Sequence, residues 1–198
     1  MLVLAIDTAL NACSVALARD DEVLASQSEP MDRGQAERIA PMADEVMRAA
    51  GVAFAEIDRI AVTTGPGSFT GVRVGLSFAR ALALALDKPC VGLSTLEILA
   101  LQSGEAGLRA AVIETQGAVY LALYEDGAPL IAPRAVERDD VNAVLESGVG
   151  GRAFALQRGG APDIVALARR AARLDPATHR PDPLYLRGHG AKLPAGQT

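Results

Sequence analysis

Asp7 and Thr8 close a short apolar run near the amino terminus, and Ser14 follows soon after. A carboxylate among hydroxyls in a strand-turn-strand unit can position a metal-bound nucleotide phosphate. The same residue types also end strands through local side-chain to backbone hydrogen bonds, so both roles stay open for Asp7 and Thr8. The second chemically suggestive stretch is Thr63 to Gly75, which reads Thr-Thr-Gly-Pro-Gly-Ser-Phe-Thr-Gly-Val-Arg-Val-Gly. A glycine-rich turn before a helix points backbone N–H groups at one place, where an anion could sit. The spacing argues against a phosphate loop. Thr70 and Val72 occupy the positions where a Walker loop needs glycine, and Thr70 occupies the third glycine position of a dinucleotide fingerprint.

Other chemistries lack their residues. The two histidines, His179 and His189, lie in a Pro/Gly-rich tail, which leaves no obvious general base for a triad and no zinc-hydrolase motif. Lys88 and Lys192 are the only lysines, and Cys13 and Cys90 sit in apolar runs as expected of buried free thiols.

These residues must be held by regular elements. The apolar run Ile60-Ala61-Val62 stops at Gly65-Pro66-Gly67, Ser68 can cap a helix, and an Ala/Leu-rich segment then continues to Leu86. Gly71, Gly75, Ala79 and Ala83 recur every four residues on that helix. They form a smooth stripe that lets another helix approach closely, whereas Val74, Phe78, Leu82 and Leu86 form a bulky stripe suited to a sheet. The stripe is therefore expected to be either an intramolecular packing face or a partner interface flanked by Arg73 and Arg80.

Around this unit the pattern is legible. Leu2 to Asp7, Ala12 to Ala18 and Glu22 to Ser28 read as an antiparallel meander. A helix is expected from about Gly34 to Ala50, starting late or bending at Pro41. Strands at Asp58 to Thr64 and Cys90 to Leu93 flank the long helix, and Ser94 with Glu97 resembles a capping box. From Leu108 the order starts again with strands at Ala110 to Glu114, Ala118 to Tyr124 and Pro129 to Val136, then helices near Asp139 to Leu145 and Asp163 to Leu174. The order predicts α/β architecture with mixed sheets and a second, shortened copy.

Half of the 198 residues are hydrophobic, enough for an ample core, and the net charge is −5. The acidity argues against a stand-alone nucleic-acid binder, although the last quarter is basic and Arg169, Arg170 and Arg173 could touch RNA. Arg73 and Arg80 interrupt the most apolar segment, so no membrane span is expected, and a cytoplasmic protein is the simple reading.

Taken together, Leu4-Ala5-Ile6-Asp7-Thr8, Cys13 to Leu17, Gly34-Gln35-Ala36-Glu37-Arg38 with Pro41, and the Gly65 to Gly75 segment resemble the TsaB (YeaZ) family of bacterial tRNA threonylcarbamoyladenosine synthesis. The resemblance implies an actin-like, sugar-kinase/heat-shock ATPase fold of two tandem ribonuclease-H-like domains: residues 1–100 carrying the partner interface, and a shortened 101–198 with a loose basic tail. It implies a non-catalytic scaffold, with no catalytic or metal-binding residue of its own, that pairs with a TsaD-like catalytic subunit. A TsaE-like ATPase joins them and tRNA is met through the complex; whether the isolated subunit pairs with a second copy as a homodimer through the same face stays open. ATP and a metal would belong to the partner subunits. The implied interface comprises Glu37, Arg38, Met42 and Glu45 with Gly71, Arg73, Gly75, Ala79 and Ala83. A nucleotide-binding ATPase-like module using Asp7 and Thr8 is the alternative, and a glycoprotease-like peptidase a further one.

Overall fold

The computed structural model describes residues 1–186; Arg187, His189 and Lys192 of the expected basic tail lie outside the described residues. Five strands, β1 (Leu2–Asp7), β2 (Ala12–Arg19), β3 (Glu22–Pro30), β4 (Arg59–Thr63) and β5 (Cys90–Leu93), form one sheet in the order β3-β2-β1-β4-β5. The first three are antiparallel, as the short turns between them require, while β4 and β5 run parallel to β1 and need crossover connections. The crossovers are α1 (Gln35–Ala50) and α2 (Phe69–Leu86). α1 is continuous through Pro41 and begins at Gln35, so the expected late start near Ala40 does not occur.

Strand alternation sorts the core. Leu2, Leu4 and Ile6 of β1 face α1 and α2 together with Ile60 and Val62. Val3 and Ala5 face the other side with Ala61, Val91 and Leu93, and there the covering helix comes from late in the chain.

The second sheet has the order β8-β7-β6-β9, from β6 (Leu108–Glu114), β7 (Val119–Glu125), β8 (Ala128–Val136) and β9 (Ala155–Arg158). β9 is short, mostly exposed and without apolar alternation, which is why the sequence pattern does not announce it. α3 (Thr95–Leu101) covers one face of this sheet and α4 (Val141–Val149) the other. The architecture is thus α/β with two tandem mixed-sheet units, the second smaller, as the resemblance implied.

A cut at residue 100 separates the two sheets but not their helices. α3 follows β5 of the first sheet yet packs on the second, and α5 (Ile164–Ala172) follows β9 yet packs on the first through Ile164, Leu167, Ala168 and Ala171. Arg59 fixes α5 by donating from Nη1 to the carbonyls of Ala171 and Leu174, both at 2.6 Å, so a cation meets the negative end of the helix. Arg170 of α5 bridges the units: it pairs with Glu97 of α3 and with Glu105, each at 2.9 Å, and donates to the Gly127 carbonyl at 3.1 Å.

Candidate functional site

The launch of α2 uses its glycines on this chain itself. Gly65 has φ +95°, a conformation closed to most side chains, and the chain then reverses over the turn between β1 and β2. The Ser68 N–H donates to the Ala9 carbonyl at 2.7 Å, and the Ser68 hydroxyl caps the helix by accepting from the Gly71 N–H at 2.9 Å. The Thr8 hydroxyl donates to the Gly71 carbonyl at 2.7 Å. A Cβ at Gly71 would overlap the Thr8 carbonyl, and one at Gly75 would lie 2.6 Å from the Thr8 hydroxyl oxygen.

The smooth stripe is therefore turned inward. Gly71, Gly75, Ala79 and Ala83 are buried against the first sheet, which corrects their expected place in a partner interface. The reason is steric: the end of the central strand β1 and the β1–β2 turn approach the start of α2 more closely than any large side chain would allow. Val74, Phe78, Leu82 and Leu86, expected against the sheet, are only half-buried, at the edge of the core. Met42, expected at the interface, is wholly buried under α1.

Asp7 and Thr8 are also interior. Asp7 accepts from the Thr63 hydroxyl at 2.5 Å and the Ala9 N–H at 3.2 Å, both on Oδ1, while its buried Oδ2 has no partner. Burial lifts the Asp7 carboxyl from 3.8 to about 6, against the lowering effect of those two hydrogen bonds. Asp7 ties the turn to β4 through Thr63, and Thr8 ties it to α2 through the Gly71 carbonyl.

What α2 leaves bare is the opposite side, where Phe69, Ala81, Leu84 and Ala85 stand among Thr70, Arg73, Ser77 and Arg80. Phe69 is 61% exposed and Leu84 85%, and Arg73 stacks its guanidinium 3.5 Å from the Phe69 ring centre. Beside Phe69 and Arg73 runs a groove of about 480 Å³ between Ala36, Ile39 and Ala40 of α1 and Phe69, Thr70, Val74, Ser77 and Phe78 of α2. α2 meets the length and mean hydropathy of a membrane span, 18 residues at 1.4, on those two measures alone. Its inner residues nevertheless pack on the sheet. Glu37 and Glu45 of α1 are exposed, and Arg38 is clasped by Glu29 at 2.6 Å and Glu45 at 2.7 Å. The Arg38 guanidinium holds both carboxyls below the usual range.

A second concavity of about 890 Å³ lies between the two sheets. Asn11, Asp32, Ser68 and Phe69 line one wall, and Glu114 to Gly117 with Gly159 and Gly160 line the other. Glu114 pairs with Arg138 and, at 3.7 Å, with Arg158. Of the arginines that could touch RNA, Arg169 donates to the Asp21 carbonyl at 3.0 Å, Arg173 pairs at the surface with the Asp21 carboxylate at 3.4 Å, and Arg170 joins the two units. Ser94 accepts from the Leu96 N–H at 3.2 Å, but Glu97 turns to Arg170, so only half of the expected capping box forms. Among the described residues no group of three or more His, Cys, Asp or Glu side chains is arranged to hold a metal.

Comparison with known proteins places this geometry. Residues 22–124 match the family model for TsaD, tRNA N6-adenosine threonylcarbamoyltransferase. The tRNA threonylcarbamoyladenosine biosynthesis protein TsaB of Escherichia coli is 41% identical over 129 residues, covering 63% of this chain and 55% of that protein. A tRNA N6-adenosine threonylcarbamoyltransferase of Erythrobacter litoralis is 51% identical over 71 residues, 36% of this chain and only 21% of that protein. The chain thus spans about half the length of the TsaB relative, and less of the transferase. The solved structure of YeaZ from Pseudomonas aeruginosa superposes with a TM-score of 0.74 at 30% identity, covering 93% of this chain and 99% of that one. With the glycine-launched helix, the inward stripe and the two mixed sheets in view, the chain belongs to the TsaB (YeaZ) family.

Proposed function

We propose that this protein is an accessory subunit in the synthesis of threonylcarbamoyladenosine on tRNA, pairing with a TsaD-like subunit and supporting it without performing the transfer. The observation that carries this reading is the bare side of α2: its small face is used inside the chain, while Phe69, Leu84 and the groove shared with α1 face outward. An apolar two-helix surface of this kind gains stability by being covered, at about 1.5–3 kcal/mol for each large side chain fully removed from water. The relatives' names support the pathway. The match of residues 22–124 to the TsaD model supports the choice of partner, because a TsaD-like chain would bring a related two-helix unit to the contact.

In this reading Glu37, Glu45 and Arg73 rim the contact, and Ala36, Ala40, Phe69, Ser77 and Phe78 take the place of the inward stripe. ATP and metal are held by the partners, a TsaE-like ATPase joins the pair, tRNA is met through the assembly, and the complex works in the cytoplasm. When the subunit is alone, the same face pairs two copies. Mixing the chain with the TsaD-like subunit from the same source and measuring mass by light scattering tests the reading. A 1:1 complex is expected, and two unassociated species would overturn it.

A further inference from the structure

Beyond α5 the chain does not leave the molecule. After a hydrogen-bonded turn over 175–179, residues 180–186 return along the first sheet as an irregular strap. The Gly92 N–H donates to the His179 carbonyl at 2.9 Å, and the Leu184 N–H donates to the Thr64 carbonyl at 2.9 Å, so the chain is hydrogen-bonded within the edge strand β5 and just past the end of β4. Its crossing requires a glycine: a Cβ at Gly92 would lie 2.7 Å from the Arg180 carbonyl oxygen and from the Pro181 Cα. Leu184, Tyr185 and Leu186 then close a cavity of about 190 Å³ over Gly65-Pro66-Gly67, with Tyr120 of the second sheet on the far side.

The strap also runs along α2. Asp182 pairs with Arg80 at 2.7 Å, and the Tyr185 hydroxyl accepts from Arg73 at 3.4 Å. Arg73 and Arg80 are about 10 Å apart along a helix that rises 1.5 Å per residue. Asp182 and Tyr185 are about 10 Å apart in extended chain at roughly 3.3 Å per residue. The two spacings match, so strap and helix lie antiparallel with their side chains in register. α2 is thus flanked by α1 on one side and by the strap on the other.

We propose that this strap is the second wall of the docking face, and that it fixes the α2 arginines and adds Tyr185 to the surface the TsaD-like subunit covers. The proposal rests on the docking reading above. Tyr185 is 62% exposed beside Phe69, which is 61% exposed, and Arg73 lies between them. Tyrosine, arginine and phenylalanine are the side chains that interfaces use most at their centres, because they cover large areas with little loss of freedom. Asp182 neutralises Arg80, whereas Arg73 has no carboxylate partner among the described residues. The fitting occupant is therefore an apolar helix side of the TsaD-like subunit with one carboxylate opposite Arg73.

The test is titration calorimetry of the TsaD-like subunit into wild type, into Asp182→Ala/Tyr185→Ala, and into Ser77→Glu. The strap variant is expected to bind about 10- to 100-fold more weakly, as for loss of a central interface aromatic. Binding within about threefold of wild type, alongside failure of Ser77→Glu, would overturn the strap and leave the docking face standing. Unchanged binding by both variants would overturn the docking face itself. Hydrogen exchange of the wild-type Leu184 amide gives a second reading, independent of variant folding. Slower exchange in the complex supports the strap, and an unchanged rate overturns it.

Discussion

Replacing Asp7 by asparagine tests whether burial disfavours the charge of this carboxyl. Its carboxyl is fully buried and held at about 6, compared with 3.8 when exposed, because the surroundings disfavour its charge. A difference of about two in pKa corresponds to about 3 kcal/mol. The sign follows from proton binding. The folded state holds its proton more tightly than the unfolded state, so this group's contribution is fully present below pH 4, is lost as pH rises through 6, and stays lost above. The Asp7→Asn variant keeps the acceptor for Thr63 and Ala9 but places an unpartnered N–H₂ where Oδ2 has no partner now, at a cost of about 1–3 kcal/mol. Urea unfolding of both proteins from pH 4 to 7.5 isolates the effect, since shifts at Glu29 and Glu45 are common to the two. The stability difference between Asp7→Asn and wild type should move in favour of the variant by about 2.5 kcal/mol over that range. Parallel pH profiles would refute the burial argument.

Three further outcomes follow from the same geometry. Gly71→Ala should lower stability by about 2–3 kcal/mol or more in urea unfolding, because its Cβ overlaps the Thr8 carbonyl; a neutral change would contradict the inward stripe. Arg170→Ala should lower the melting temperature by removing the tie between the two units and leaving Glu97 half-buried without its partner, at about 1–3 kcal/mol, with partner binding unchanged; an unaltered melting temperature would count against it. Cys13 and Cys90, their thiols pushed up to about 11 and about 12 by burial, should react with a thiol reagent at pH 8 far more slowly in the native protein than in urea, and equal rates would contradict their placement.

Most of the fold could be read from the residues because each main element carries its own signal. Alternation marks the meander, and glycine, proline and serine mark the entry to α2. β9 carries no such signal, and the exchange of α3 and α5 between sheets is a matter of long-range packing that no local pattern encodes. The site was legible only in part. The spacing of Gly71, Gly75, Ala79 and Ala83 correctly signals close approach, but it does not say by what. The answer came from Thr8 and Ala9, which lie far away in sequence and close in space. Phe69 and Leu84 could have been suspected as surface residues, since a helix that places its glycines inward must leave its large residues at the edge or outside. The burial of Asp7 and Thr8 was not legible, because sequence gives residue type without burial.

The central claim is that the outer face of α1 and α2 meets a TsaD-like subunit. Ala40 and Ser77 are exposed on that groove, so carboxylates placed there leave the monomer intact yet must lose water without a partner when the face is covered. Calorimetric titration of the TsaD-like subunit into Ala40→Glu/Ser77→Glu should show binding weakened about 100-fold or more, equivalent to about 3 kcal/mol, with the melting temperature unchanged. Affinity within about threefold of wild type would contradict the account.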